Sequence, residues 1–202
     1  VRGLCVGLLI AVAAAQASSH ETPRDLHGRT EMVEDKNKIE KTPPRNAASI
    51  TLFMCGDVMT GRGIDQVLPH PSPPAIYESY MKDARGYVRL AEKVNGPIDT
   101  PVGFSYVWGD ALAELDRVKP DVRLINLETS VTRSDDYWKG KGINYRMHPQ
   151  NIPVLTVADI DVCTLANNHV LDWGYGGLLE TLETLESAGI RTAGAGRNRM
   201  EA

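Results

Sequence analysis

The chain has 202 residues, 42% of them hydrophobic, which suits one domain with its own core and excludes a disordered polymer. Its formal charge of -4 and pI near 5.7 come with no basic block. That argues against a nucleic-acid partner or an anionic-membrane surface, since both need clustered Lys and Arg.

The opening stretch GLCVGLLIAVAAA is apolar but short for a membrane span, follows Arg2, and ends near Ala15-Gln16-Ala17, the small-x-small pattern that a signal peptidase accepts. Residues 1–17 therefore read as an export signal, with a retained membrane anchor as the competing reading. Residues 18–48 are polar, carry Pro43-Pro44 and lack a sustained apolar period, as a linker does. His20 and His27 within it read as solvated. The expected location is periplasmic, extracellular or anchored at the outer side of the cell membrane.

From Ser49 onward, strand-like and helix-like runs alternate, which predicts a mainly parallel sheet covered by helices. ITLFMC is a first strand bounded by Gly56. A proline-rich turn then leads into a helix in which Ile76, Tyr80, Ala84, Tyr87 and Ala91 keep helical spacing until Asn95-Gly96-Pro97. DALAELDRV is a second helix, with Leu112, Leu115 and Val118 on one side and Pro120 after it, and VRLINL is the next strand. A loop with Gly140 and Gly142 precedes a short extended piece around Tyr145 to Met147.

IPVLTVADI fits a helix opened by Pro153, DVCTLA a third strand, and GLLETLETLESAG a helix with Leu178, Leu182 and Leu185 in register, closed by Gly189. IRTAGAG starts another strand. Residues 49–202 are thus expected to be the N-terminal portion of a larger α/β domain. Of the cysteines, Cys5 lies in the signal, while Cys55 and Cys163 lie in apolar strands, where packing is favoured over a bridge.

Polar clusters follow directly on three of these apolar runs: Gly56-Asp57, Asn126-Leu127-Glu128 and Asn167-Asn168-His169. In an open α/β sheet, ligands bind outside the carboxyl ends of the strands, so groups distant in sequence can converge there. Asp57 can take a metal or cap a helix. Asn126 and Glu128 alternate, so both point to the same side if the strand continues. His169 beside an amide can act as a general acid or orient a phosphate, and ordinary loop polarity is the alternative. Hard oxygen donors with one imidazole suit a divalent metal such as Mn, Mg, Fe or Zn.

The strings GDVMTGR (56–62), INLETSV (125–131) and LANNHVLDWG (165–174), in that order, resemble the CapA family of poly-gamma-glutamate capsule-synthesis proteins, part of the calcineurin-like metallophosphoesterase superfamily. The resemblance covers residues 49–202. It implies a layered α/β/β/α sandwich with a metal pocket at the strand ends, in which Asp57, Glu128 and Asn168 hold one or two divalent ions and His169 protonates the leaving group. An anionic cell-surface polymer or a phosphoester is the implied substrate.

There are departures from the superfamily pattern. Met59 stands where the first motif usually has His, and NLE replaces GDxxD. A noncatalytic polymer-binding or export-accessory subunit is therefore the alternative function, and a nucleotidase-like phosphatase a further one. Arg62, inside the first motif, is the candidate substrate-binding cation. Arg133 and Arg146 read as surface salt-bridge partners, and Trp108, Trp138 and Trp173 as packed at a core edge, with Trp173, beside the third motif, as a neighbour of the site.

Overall fold

The computed structural model describes residues 49–202. The expected export signal, the linker and Cys5 lie outside the described residues. In chain order the elements are β1 (Leu52–Val58), α1 (Arg62–Val67), α2 (Arg85–Asn95), α3 (Ala111–Val118), β2 (Val122–Leu127), β3 (Ser130–Val131), β4 (Arg146–Met147), a 3-10 turn at Pro149–Asn151, α4 (Pro153–Thr156), β5 (Val162–Thr164), α5 (Gly174–Ser187) and β6 (Arg191–Ala193).

The main sheet has the order β1-β2-β5-β6, parallel throughout, and β3 pairs with β4 in a small parallel ribbon. Parallel neighbours require crossovers, and the helices between the strands supply them. The molecule is a mixed α/β structure of layered type.

Alternation along the strands shows where the core sits. Phe53 and Cys55 of β1, Ile125 and Leu127 of β2 and Cys163 of β5 are buried and join Val67 and Leu68, Leu115 of α3, Leu155 of α4 and Leu178, Leu182 and Leu185 of α5 in one hydrophobic cluster. Each such fully buried Leu or Ile contributes about 1.5–3 kcal/mol relative to exposure. On the opposite face Leu52 and Met54 remain 41% and 51% exposed, and Val122, Leu124 and Val162 are half-buried. Among the described residues, one face of the sheet is thus covered by helices and the other is open.

Several sequence expectations change. Gly56 does not end β1: the ladder shifts register between Cys55, opposite Ile125, and Asp57, opposite Asn126, leaving Gly56 as the extra residue of a β-bulge. The helix expected from Ile76 starts only at Arg85, because the 75–84 segment closes on itself through an Ala75–Asp83 bridge and bonds from Ile76 N to Lys82 O (3.1 Å) and Ala84 N to Pro74 O (2.7 Å). The short helix α1 was not expected. The helix opened by Pro153 is a single turn that ends at Thr156, and the chain then takes a left-handed φ of 48° at Asp159.

Cys55 and Cys163 are free, as packing predicted. Both pair with Ile125 from opposite sides, so they stand two strand spacings apart, about 10 Å and beyond disulfide reach. Burial pushes the Cys163 thiol up to about 12.

Arg133 forms the expected surface pair with Glu180 at 2.7 Å. Arg146 pairs with exposed Asp135 at 3.0 Å, but its own guanidinium is buried over the Trp173 ring, 3.9 Å from the centroid, so it is not the surface residue expected. Trp108 and Trp173 are packed, whereas Trp138 is 56% exposed.

Candidate functional site

The bulge at Gly56 determines where the first motif points. Side chains alternate along a strand, so an unbroken β1 would place Asp57 on the covered face with Phe53 and Cys55. One inserted residue reverses that parity. Asp57 instead stands opposite Asn126, solvent-exposed at the carboxyl rim on the open side, and accepts a 2.6 Å hydrogen bond from Asn126 Nδ2.

From there an amide ladder crosses the strand ends. Asn126 Oδ1 accepts from Asn167 Nδ2 at 3.1 Å and from the Thr164 hydroxyl at 3.3 Å. Asn167 Nδ2 also reaches Leu127 O at 3.0 Å, and its Oδ1 accepts from the backbone N–H of His169 at 3.0 Å. Glu128 follows directly on β2, its N–H bonded to Val58 O at 3.1 Å, and its Oε1 lies 3.7 Å from His169 Nε2. The three sequence motifs therefore meet on one rim.

His169 is buried and held from several sides. Its Nδ1 lies 2.6 Å from Oδ2 of Asp172, which is fully buried. An ionised carboxylate can only accept, so Nδ1 carries the hydrogen and, in the neutral ring, Nε2 keeps its lone pair toward Glu128. The Tyr145 ring stacks on the imidazole with centroids 3.9 Å apart. Arg62 in turn lies over Tyr145 (4.8 Å) and Tyr87 (4.9 Å), and its Nε bonds Oε1 of the buried Glu78 at 2.6 Å. Glu78 also accepts from the Tyr87 hydroxyl; burial first and this bond second push that phenol well above its ordinary range. Burial likewise raises the Tyr145 phenol.

Of the residues expected at the site, Asp57, Glu128 and His169 lie along this connected rim, and Arg62 joins it through Tyr145. Asn168 is exposed beside it; its backbone carbonyl accepts from Lys141, while the amide built into the ladder is that of Asn167. Met59 turns its sulfur back to the loop and accepts from the Gly61 N–H at 3.2 Å.

The donor types at the rim, two carboxylates, amide oxygens and one imidazole, fit a hard divalent cation. Among the described residues no group of three or more His, Cys, Asp or Glu side chains could by itself hold a metal ion.

Sequence reasoning passed over two members of this constellation. Asp172 stands three residues after His169, a spacing that a tight turn brings together, and that spacing was a usable signal. Lys141, whose ammonium reaches Asp172, lies in a glycine-flanked loop that gives no local sign of it.

Comparison with known proteins agrees with the family resemblance. Residues 51–202 match the family model described as Bacterial capsule synthesis protein PGA_cap. The chain is 52% identical over 157 residues to a probable polyglutamine synthesis accessory protein of Mycobacterium tuberculosis strain H37Rv, an alignment spanning 78% of this chain but 41% of that protein. It is 21% identical over 154 residues to the capsule biosynthesis protein CapA of Bacillus anthracis, covering 76% of this chain and 30% of that protein. With three ordered motifs converging on one strand-end rim and residues 51–202 matched by the family model, the chain belongs to the bacterial capsule synthesis protein PGA_cap family.

Proposed function

We propose that the protein acts in synthesis, release or anchoring of an anionic cell-surface polymer such as poly-gamma-glutamate, outside the cell membrane, and that its strand-end rim is a metal-dependent hydrolase site. The printed names of the relatives in Mycobacterium tuberculosis and Bacillus anthracis support the polymer class. Export and attachment through the N-terminus rest on residues 1–17; no helix among the described residues is long and apolar enough to cross a membrane.

The observation that carries the hydrolase reading is the continuous path from Asp57 through Asn126 and Asn167 to His169. In this reading Asp57, Glu128 and Asn168 hold the divalent ion, which supplies Lewis acidity where charge develops on the substrate. Asn126 fixes the Asp57 carboxylate. His169, oriented by Asp172, moves a proton at Nε2. Arg62, braced by Glu78 and two tyrosine rings, offers its guanidinium edge to an anionic group. A second layer of strands on the open face, as in an α/β/β/α sandwich, would wall in this rim.

Replacing Asp57 with Asn in the full-length protein is expected to lower hydrolysis about 100-fold or more while leaving the denaturation midpoint nearly unchanged. Unaltered turnover would remove the catalytic assignment.

One observation favours the accessory reading, a polymer-binding or export subunit without catalysis: Met59, in place of the histidine of related phosphatases, spends its sulfur on the Gly61 N–H. Elemental analysis of the full-length protein separates the two. Less than about one equivalent of metal, with no hydrolysis of generic phosphoesters, supports the accessory role.

A further inference from the structure

We propose that Lys141 is a positioning residue of this rim, holding the Asn167–Asp172 turn so that His169 keeps one tautomer and one ring orientation. The consequence for turnover rests on the hydrolase reading above; the consequence for the imidazole does not.

The Lys141 ammonium donates to the backbone carbonyl of Asn168 and to Oδ1 of Asp172, and it lies 3.3 Å from His169 Nδ1. Its side chain is 18% exposed, against 0% for Asp172. A fully buried carboxylate must be paired, and removing the partner of such a pair leaves an uncompensated charge.

The division of the Asp172 lone pairs follows from donor chemistry. Lysine ammonium has three donors and no acceptor, so it occupies Oδ1. Oδ2 then serves the Tyr145 N–H at 2.7 Å and His169 Nδ1 at 2.6 Å. Two arrangements compete at Nδ1: a bare nitrogen accepting from Lys141, or an N–H donating to Asp172. The 2.6 Å approach to an acceptor-only oxygen selects the second over the 3.3 Å contact.

Other groups of the same loop grip the same turn. Trp138 N–H and Asn144 Nδ2 donate to Asp172 O at 2.8 and 3.3 Å, and Tyr145 stacks on the imidazole. Gly140 and Gly142 flank Lys141 at φ of 81° and 85°, a region that glycine enters freely, so the chain can fold back and aim the ammonium inward. Fixing the Asn168 carbonyl also fixes the peptide that carries the His169 N–H. Lys141 thus acts on the imidazole and on its neighbouring candidate ligand together, the outer-shell role that orients site groups.

The test uses the whole chain with 15N-labelled histidine, its His169 signals identified by comparison with His169→Gln, at a pH where the ring is neutral. Long-range 15N–1H correlations report which ring nitrogen carries the hydrogen. The wild-type protein is expected to give the Nδ1–H tautomer, Lys141→Met a mixture or the Nε2–H form, and Lys141→Arg the wild-type pattern. An Nε2–H tautomer in the wild type, or an unchanged pattern in Lys141→Met, overturns the proposal. Lys141→Gln takes the place of the Met variant should the latter not fold.

In the full-length protein Lys141→Met is also expected to lower kcat/KM about 10–100-fold, mostly in kcat. A tautomer shift in the variant, in a protein whose wild type hydrolyses nothing, supports the role of Lys141 and sinks the hydrolase reading alone.

Discussion

Phe53, Ile125 and Cys163 on one face of the sheet are almost wholly shut off from solvent, whereas Leu52 and Met54 on the other, of similar chemistry, are about half exposed. Among the described residues the same strands thus have one face sealed by helices and one open, and the candidate site lies where the open face meets the carboxyl rim. The covered face supplies stability and holds the strand ends rigid. The open face leaves Asp57 accessible to a ligand. A polymer-handling or hydrolytic site needs both, a fixed frame and an approach from solvent.

Mutations on the two faces should therefore differ sharply. Leu127→Ala, at a position 1% exposed on the covered face, is expected to cost about 2–5 kcal/mol in chemical denaturation. A loss below about 1 kcal/mol would mean that this face is not the core.

A smaller and pH-dependent effect is expected in the helical layer over that face. Asp65 of α1 is buried and accepts from Ser72 N (2.7 Å), His148 N (2.8 Å) and Asn151 Nδ2 (3.1 Å), tying three segments together. Asp65→Asn turns an amide NH2 toward these donors and is expected to cost about 1–3 kcal/mol.

Burial holds the Asp65 carboxyl above its ordinary value, although those donors pull it back. A raised folded-state pKa means that the stabilisation is complete below the unfolded value near 3.8 and is lost as pH rises through the folded value. The deficit of Asp65→Asn should accordingly narrow as pH rises from about 4. Denaturation curves across that range check the sign, and a widening deficit contradicts it.

The smallest effect is expected on the open face. In this 202-residue chain Met54→Lys should change stability by no more than about 0.5 kcal/mol, since its side chain is already half in water there. A cost comparable to that of Leu127→Ala would erase the distinction between the faces.

Much of the frame was legible from local pattern. VRLINL is β2 residue for residue, DALAELDRV is α3 with its N-cap Asp110, and GLLETLETLES makes up α5 apart from its first turn, because apolar periodicity over such spans leaves little choice. The 76–84 segment misled for a physical reason: Ile76, Tyr80 and Ala84 keep helical spacing, but a loop closed by long-range pairing, with Glu78 drawn inward to Arg62 and Tyr87, outweighs that weak preference. Lys141 was invisible because its partners are 27 to 31 residues away, so nothing beside it in sequence betrays them.

The sequence alone determined, in outline, the four strands of the main sheet, their order along the chain and the placing of a polar motif near the end of each of three of them, since side-chain alternation and turn residues are local properties. Only the tertiary structure decided which way Asp57 faces. Parity along β1 assigns it to the core side, and the ladder with β2 slips by one residue at Gly56 to set it beside Asn126 instead. Hydrogen bonds between strands fix that register, and the partner strand lies about seventy residues further along the chain.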